Sequence, residues 1–231
     1  YYKGAKRDPG LDEGSTTVAY LEGKGWFWHI PLQNDIVSSG IVAERDYLFG
    51  DTQDRRAIFE REVQRNPWVA EHLAPGQQFG DYFVTGEFSY RGEHCAANGL
   101  LLIGDAFAFL DPVFSSGVFL ALKSGEMAAD AVDAALATPG PVPAEAFADY
   151  GERLCQGIET MRNIVYAFYD PRFSFADLIR GHKDQRGPLT DCLIGDLVDR
   201  DYSQLFNAIK NFAELPPPLP HGRVPLAAAT R

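Results

Sequence analysis

The 231-residue sequence is short of several things, and each shortage narrows what the chain can be. Cysteine is scarce: Cys95, Cys155 and Cys192 stand far apart and form no CxxC pair. That spacing excludes a disulfide framework or a zinc ribbon and suits a reducing cytoplasm. Positive charge is outnumbered, with 21 Lys and Arg against 32 Asp and Glu, and the net charge of −11 argues against a nucleic-acid partner. No stretch approaches the roughly 18 uninterrupted apolar residues that a membrane helix needs. The opening YYKGAKRDPG lacks the apolar core of a signal peptide. The five histidines show no HxxxH spacing, so no metal centre is expected. A GxSxG elbow is missing, and so is any GxGxxG turn.

Aromatic residues are plentiful at 13%, including 16 Phe and 10 Tyr. Together with 45% hydrophobic and 23% charged residues, they describe a globular chain with a large core or a site for a flat ligand. Three β-rich runs, 15–22, 25–32 and 35–43, are separated by short polar breaks and predict an antiparallel meander. Charged residues around Ile58, Phe59 and Val63 predict a helix over 51–65, capped by Asp51 or Thr52 and stopped at Asn66-Pro67. A second β pair is expected at 82–91 and 99–106, the latter nearly all apolar, as in a strand buried on both faces.

Beyond it the pattern is helical. Helices are expected at 116–137, 143–169, 189–198 and 203–212, with Thr138-Pro139-Gly140-Pro141 ending the first. Phe147, Tyr150, Leu154, Ile158, Met161, Val165 and Phe168 recur at three- and four-residue steps, a core stripe first and a cavity wall second. Five of the 15 prolines fall in the last 17 residues, which predicts an irregular or mobile tail.

The segment richest in chemistry is GLLLIGDAFAFLDPVFSSGVFLALKSGEMAADAV (99–132). Read physically, a strand ends at Gly104-Asp105 and a loop leads to Ser116-Gly117 at the start of a long helix. A carboxylate just past a strand can accept hydrogen bonds from a ribose, and free N–H groups at a helix start suit an anion or a polarised ring oxygen. On spacing alone a buried strand followed by an ordinary capped helix, with Asp105 a loop acid, is the simpler reading.

GDAFAFLDPVFSSGV resembles the second FAD fingerprint of flavin-dependent halogenases and the related two-component flavin monooxygenases. Trp26-Phe27-Trp28-His29-Ile30-Pro31 resembles the W-x-W-x-I-P motif of the halogenases, although an aromatic strand taken alone is most simply core. GAKRDPG (4–10) and FSYR (88–91) are similar to further halogenase segments. The resemblance covers about residues 1–135 well and the helical remainder more loosely.

It implies that Gly104, Asp105, Asp111, Pro112, Gly117 and Val118 bind FAD, and that Ser116 and Gly117 hold chloride or bromide. Trp26 and Trp28 would act at the catalytic centre, keeping the organic substrate away from the flavin so that the oxidant meets halide. Reduced FAD would come from a separate flavin reductase, and the substrate would be a small electron-rich aromatic or a carrier-tethered group. Tryptophan halogenases carry a glutamate where this chain has Phe114, and a histidine is common in the family where it has Phe119. A phenylalanine takes no proton, so the likeness is closer to halogenases of phenols, pyrroles or tethered acyl groups.

In the family the GxGxxG turn and a halogen-relaying lysine lie upstream of the matched region. Lys24 and Lys123 have neither context and read as surface lysines, and the chain is expected to be the C-terminal part of a longer protein.

The fold expected is α/β (α+β): an antiparallel substrate-side sheet with inserted helices over 1–93 and the strand-helix end of a Rossmann-like FAD domain over 94–137. Helices over 138–215 and a proline-rich tail over 216–231 complete it. A flavin monooxygenase or isoprenoid reductase, and a noncatalytic fragment without flavin, are the alternatives.

Overall fold

The computed structural model describes residues 1–86 and 89–225. The chain divides into two compact units, Tyr1–Gly86 and Glu87–Arg231, each with its own hydrophobic core.

The first unit is built on a five-stranded antiparallel sheet of β1 (Tyr2–Lys3), β2 (Thr17–Leu21), β3 (Gly25–Leu32), β4 (Ile36–Ala43) and β5 (Gln77–Gln78), ordered β2-β3-β4-β1-β5. The meander read from the sequence forms the β2-β3-β4 side of this sheet. The β3–β4 turn carries Asn34 and Asp35 at φ +59°, the two left-handed residues of a type I′ turn, whose twist matches the strands. Three helices follow or interrupt the sheet: α1 (Arg45–Phe49), α2 (Arg55–Arg65) and α3 (Pro67–Leu73).

The cap of α2 is Asp54, which accepts from Arg56 and Ala57 N–H at 3.0 and 3.2 Å, rather than Asp51 or Thr52. Thr52 instead accepts from the Asp54 N–H, and Asp51 pairs with Arg61. Asn66-Pro67 ends α2 as expected and also starts α3, with Asn66 accepting from Val69 N–H at 3.1 Å and Pro67 in the first turn. Phe27, Val37 and Ala19 pack with Phe59, Val63, Val69 and Leu73 to form this unit's core.

The run 82–91 straddles the two units and does not form the strand expected: 82–86 carry no strand, Glu87 and Phe88 lie outside the described residues, and among the described residues of the run only β6 (Tyr90–Arg91) is paired. The apolar run 99–106 also departs from expectation. Its only ladder pairs β8 (Leu100–Leu101) with β7 (Ala96–Ala97), and the chain then tightens into a 3₁₀ turn at Gly104–Ala106. Leu100 and Ile103 are exposed, so the run is not covered on both faces by the described residues. A short β9 (Ala108–Phe109) pairs with β6, and a 3₁₀ turn at Pro112–Phe114 leads to α4 (Gly117–Leu136).

The helices α5 (Ala148–Tyr169), α6 (Phe175–Gly181), α7 (Arg186–Leu193) and α8 (Ser203–Ile209) complete the second unit, α6 being one the sequence pattern did not reveal. All seven stripe residues from Phe147 to Phe168 are buried, so the stripe is core. The tail is irregular but tied down as far as Arg223. Arg91 donates to Leu219 O at 2.9 Å, Arg162 to Pro217 O at 3.1 Å, and Arg223 pairs with Glu152. Among the described residues, no helix is long and apolar enough to cross a membrane.

Candidate functional site

The Gly104–Asp105 turn is built against α4. Gly104 sits at φ +51°, and a Cβ there would lie 3.0 Å from the Ala121 Cβ and 3.3 Å from its Cα, so only glycine lets the turn approach so closely. Its N–H donates to the Ser124 Oγ at 2.9 Å, and that hydroxyl donates on to Ala121 O at 3.1 Å. Ser124 is almost fully buried, and nothing in the sequence marked it. Asp105 is exposed, and its backbone carbonyl accepts from the Tyr90 hydroxyl at 2.8 Å.

Asp111 and Pro112 open the 3₁₀ turn. One Asp111 oxygen accepts from the Val113 N–H at 3.0 Å and the other from the Tyr169 hydroxyl at 2.9 Å. Both oxygens are therefore occupied in holding the loop. Phe114 meets Phe168 and Phe175 edge to face, at centroid distances of 5.6 and 6.1 Å. Ser115 is left-handed at φ +53°, the change of hand that turns successive N–H groups toward one concavity. Ser116 is buried at the N-cap of α4, followed by Gly117 and Val118, and no side chain caps the helix. The first N–H groups of this 20-residue helix, with its dipole behind them, form an electropositive end open to an anion.

The structure thus joins Gly104, Asp105 and the 111–118 segment around one end of α4. Phe119 lies against Gly195, where a Cβ would come within 2.9 Å of its ring; like Phe114, it has a packing role. Lys123 pairs with Glu126 at 2.9 Å, and Lys24 stacks over the Tyr47 ring. All three cysteines are buried and free. Burial pushes the thiols of Cys95 and Cys192 up to about 11 and about 12, far from a nucleophile's range. Among the described residues, no group of three or more His, Cys, Asp and Glu converges as a metal site.

Trp26 and Trp28 belong to the first unit. Their rings meet edge to face at a centroid distance of 6.4 Å, as two residues on one face of β3 do. Trp28 donates to the Ser38 hydroxyl at 3.1 Å and lies over Gly40, where a Cβ would fall 2.1 Å from the indole. Gly40 is thus the seat of that ring. Trp26 is buried. On the opposite face, Phe27 packs edge to face on Phe59. His29, also on that face, is buried between Trp68 and His72. Its Nε2 lies 3.2 Å from Lys6 O, its Nδ1 has no partner, and burial holds its pKa below the usual value.

These features define a class first, since the fold is that of flavin-dependent halogenases. The solved brominase Bmp2 superposes with a TM-score of 0.82 at 27% identity, over 91% of this chain and 54% of that one. The myxobacterial chondrochloren halogenase CndH does so at 0.68 and 27%, over 91% and 52%. The Tryptophan halogenase family model matches residues 7–173, more than half of the sequence, and the chain belongs to that family.

The chain is 36% identical over 137 residues to a 1H-pyrrole-2-carbonyl-[peptidyl-carrier protein] brominase of Pseudoalteromonas luteoviolacea, covering 59% of this chain and 34% of the relative. It is 32% identical over 175 residues to a tryptophan 2-halogenase of Chondromyces crocatus, covering 74% and 33%. The chain therefore spans about a third of the length of these curated relatives.

Proposed function

We propose that this chain is the halide-handling part of an FAD-dependent halogenase of cytoplasmic location. With dioxygen, chloride or bromide, and FAD reduced by a separate flavin reductase, the intact protein halogenates an electron-rich aromatic, free or carrier-tethered. The observation that carries the reading is the uncapped start of α4 behind the left-handed Ser115, with Gly104–Asp105 packed against the same helix. Residues 94–137 would complete the FAD domain, and the sheet of the first unit would serve the substrate.

The residues fit a flavin. Gly104 presents bare backbone, Asp105 offers an exposed carboxylate for a ribose hydroxyl, and Gly117 and Val118 open the helix end to a polarised ring oxygen. Asp111 and Pro112 contribute by shaping the loop. When bound, FAD supplies the oxidation of halide with dioxygen as oxidant. The protein's part is placement: Ser116 and Gly117 N–H groups hold the halide, and the rigid pair Trp26 and Trp28 screens the organic substrate from the oxidising centre.

Phe114 is locked among Phe168 and Phe175 and offers no base. The substrate must therefore be activated enough to lose its proton to another acceptor, which supports a phenol or pyrrole. The brominase relative's carrier-bound pyrrole supports a tethered form of the same ring.

The test is product analysis. The intact protein, a flavin reductase, FAD and bromide are given free and carrier-tethered pyrrole and phenol probes. A product with the bromine isotope doublet, formed only with bromide, is expected. Oxygenated product irrespective of halide would assign the chain to a monooxygenase instead.

A further inference from the structure

Two neighbouring residues at the end of α5 hold the loop that leads into α4. Tyr169 donates its hydroxyl to Asp111 at 2.9 Å, across 58 residues of sequence. Phe168 takes the Phe114 ring edge to face at 5.6 Å, and Phe175 at the start of α6 closes the aromatic group at 6.1 Å. Between these two anchor points lies the 3₁₀ turn Pro112–Phe114, directly followed by left-handed Ser115 and buried Ser116. A left-handed serine has no intrinsic preference for that conformation and persists only where its surroundings impose it. Asp111 supplies part of the constraint. With one oxygen on Val113 N–H and the other on Tyr169, its carboxylate cannot turn without releasing the start of the turn.

We infer that Tyr169 is a positioning residue for the halide site: by fixing Asp111 it sets the direction of the Ser116 and Gly117 N–H groups. This rests on the halide reading proposed above. Tyr169 touches no reacting atom in that reading; it acts through Asp111 and the loop. The aromatic contact of Phe168 and Phe114 would remain in its absence, so the loop would loosen rather than detach. The effect sought is therefore a change in anion affinity at an intact fold.

The experiment compares the intact protein with Tyr169→Phe, which deletes one hydroxyl of a partly exposed residue, and with Tyr166→Phe as control. Tyr166 lies three residues earlier on α5, under the Arg162 guanidinium at 4.9 Å, and among the described residues its hydroxyl forms no hydrogen bond with the loop. Two quantities are read. Hydrogen exchange of peptides covering 111–117 reports the loop directly, and a bromide titration followed by the absorbance of bound FAD reports the anion.

For Tyr169→Phe, faster exchange confined to 111–117 is expected, with bromide bound about two- to tenfold more weakly, because an exposed hydrogen bond to a carboxylate is lost and reaches the anion only indirectly through the loop. Tyr166→Phe should change neither, and both variants should melt with the parent. Unchanged exchange in Tyr169→Phe overturns the inference, as does faster exchange at unaltered bromide affinity. If bromide leaves the flavin spectrum of the parent untouched, the halide reading itself fails, while the exchange data still decide whether Tyr169 holds the loop.

Discussion

Replacing Gly104 by alanine perturbs the close approach of the Gly104–Asp105 turn to α4. The new Cβ would stand 3.0 Å from the Ala121 Cβ, tighter than ordinary van der Waals contact, and the residue would keep φ +51°. Holding an L-residue in the left-handed region costs about 1–2 kcal/mol. Pushing the turn off α4 also stretches the 2.9 Å bond from Gly104 N–H to Ser124, a further loss of about 1 kcal/mol. Against this, alanine restricts the unfolded chain and returns about 0.4–1 kcal/mol. The net is a loss of about 2 kcal/mol, or roughly 4–8 °C in melting temperature for a cooperative unit of about 150–250 residues.

The assay is thermal and denaturant unfolding of the intact protein, with FAD affinity measured alongside. Ser124→Ala, which leaves the glycine in place and orphans its N–H, is expected to cost about 1–3 kcal/mol by itself. The geometric argument is refuted if Gly104→Ala melts with the parent and binds FAD equally well. That result would mean the turn has room for a side chain and does not press on α4.

Three further outcomes follow from the same structure. Asp105→Ala is expected to weaken FAD about 10- to 100-fold, the worth of a charge-assisted bond to a ribose hydroxyl, in a flavin titration; unchanged affinity would remove Asp105 from the site. Trp28→Ala is expected to shift product from halogenated to oxygenated, or to released peroxide, at matched folded fraction. An unchanged ratio would leave Trp28 a packing residue, whose removal costs about 3–5 kcal/mol of stability. His29 is kept neutral by burial, so its folded pKa lies below its unfolded value near 6.5. Its contribution is intact above that value and is lost as pH falls from it toward the folded pKa. Melting of the first unit should fall in that window, and His29→Gln should flatten the slope; an unaltered slope would contradict the assignment.

The parts of the fold that could be read in the sequence are those with a strong local period. The meander showed because β-branched and aromatic runs at β2, β3 and β4 are separated by short polar breaks, and Asn34-Asp35 suit a left-handed turn. Helices α4 and α5 showed because 20 and 22 residues carry few breakers, and in α5 an apolar stripe as well. Runs 82–91 and 99–106 misled, since β-propensity measures fit to a pleated surface and says nothing about whether a partner strand is present. Helices α1, α3 and α6, of five to seven residues, are too short for a period to emerge.

In the site, the order of Gly104, Asp105 and Ser116-Gly117 was readable because one continuous segment carries them. Ser124 and Tyr169 were not: their roles depend on hydrogen bonds spanning 20 and 58 residues. Asp111 was read as a flavin-binding residue, whereas in the structure both oxygens of its carboxylate are engaged within the loop and with Tyr169. Phe114 and Phe119, noted as departures from the family pattern, turn out to be packing residues against Phe168 and Gly195.

Whether halide is held at the start of α4 is decided by crystals of the intact protein with FAD, soaked in bromide and measured at the bromine absorption edge. An anomalous peak is expected within hydrogen-bonding reach of the Ser116 and Gly117 N–H groups, weakened when excess chloride competes. Bromide peaks elsewhere on the protein, with none at this helix end, would refute a halide site there.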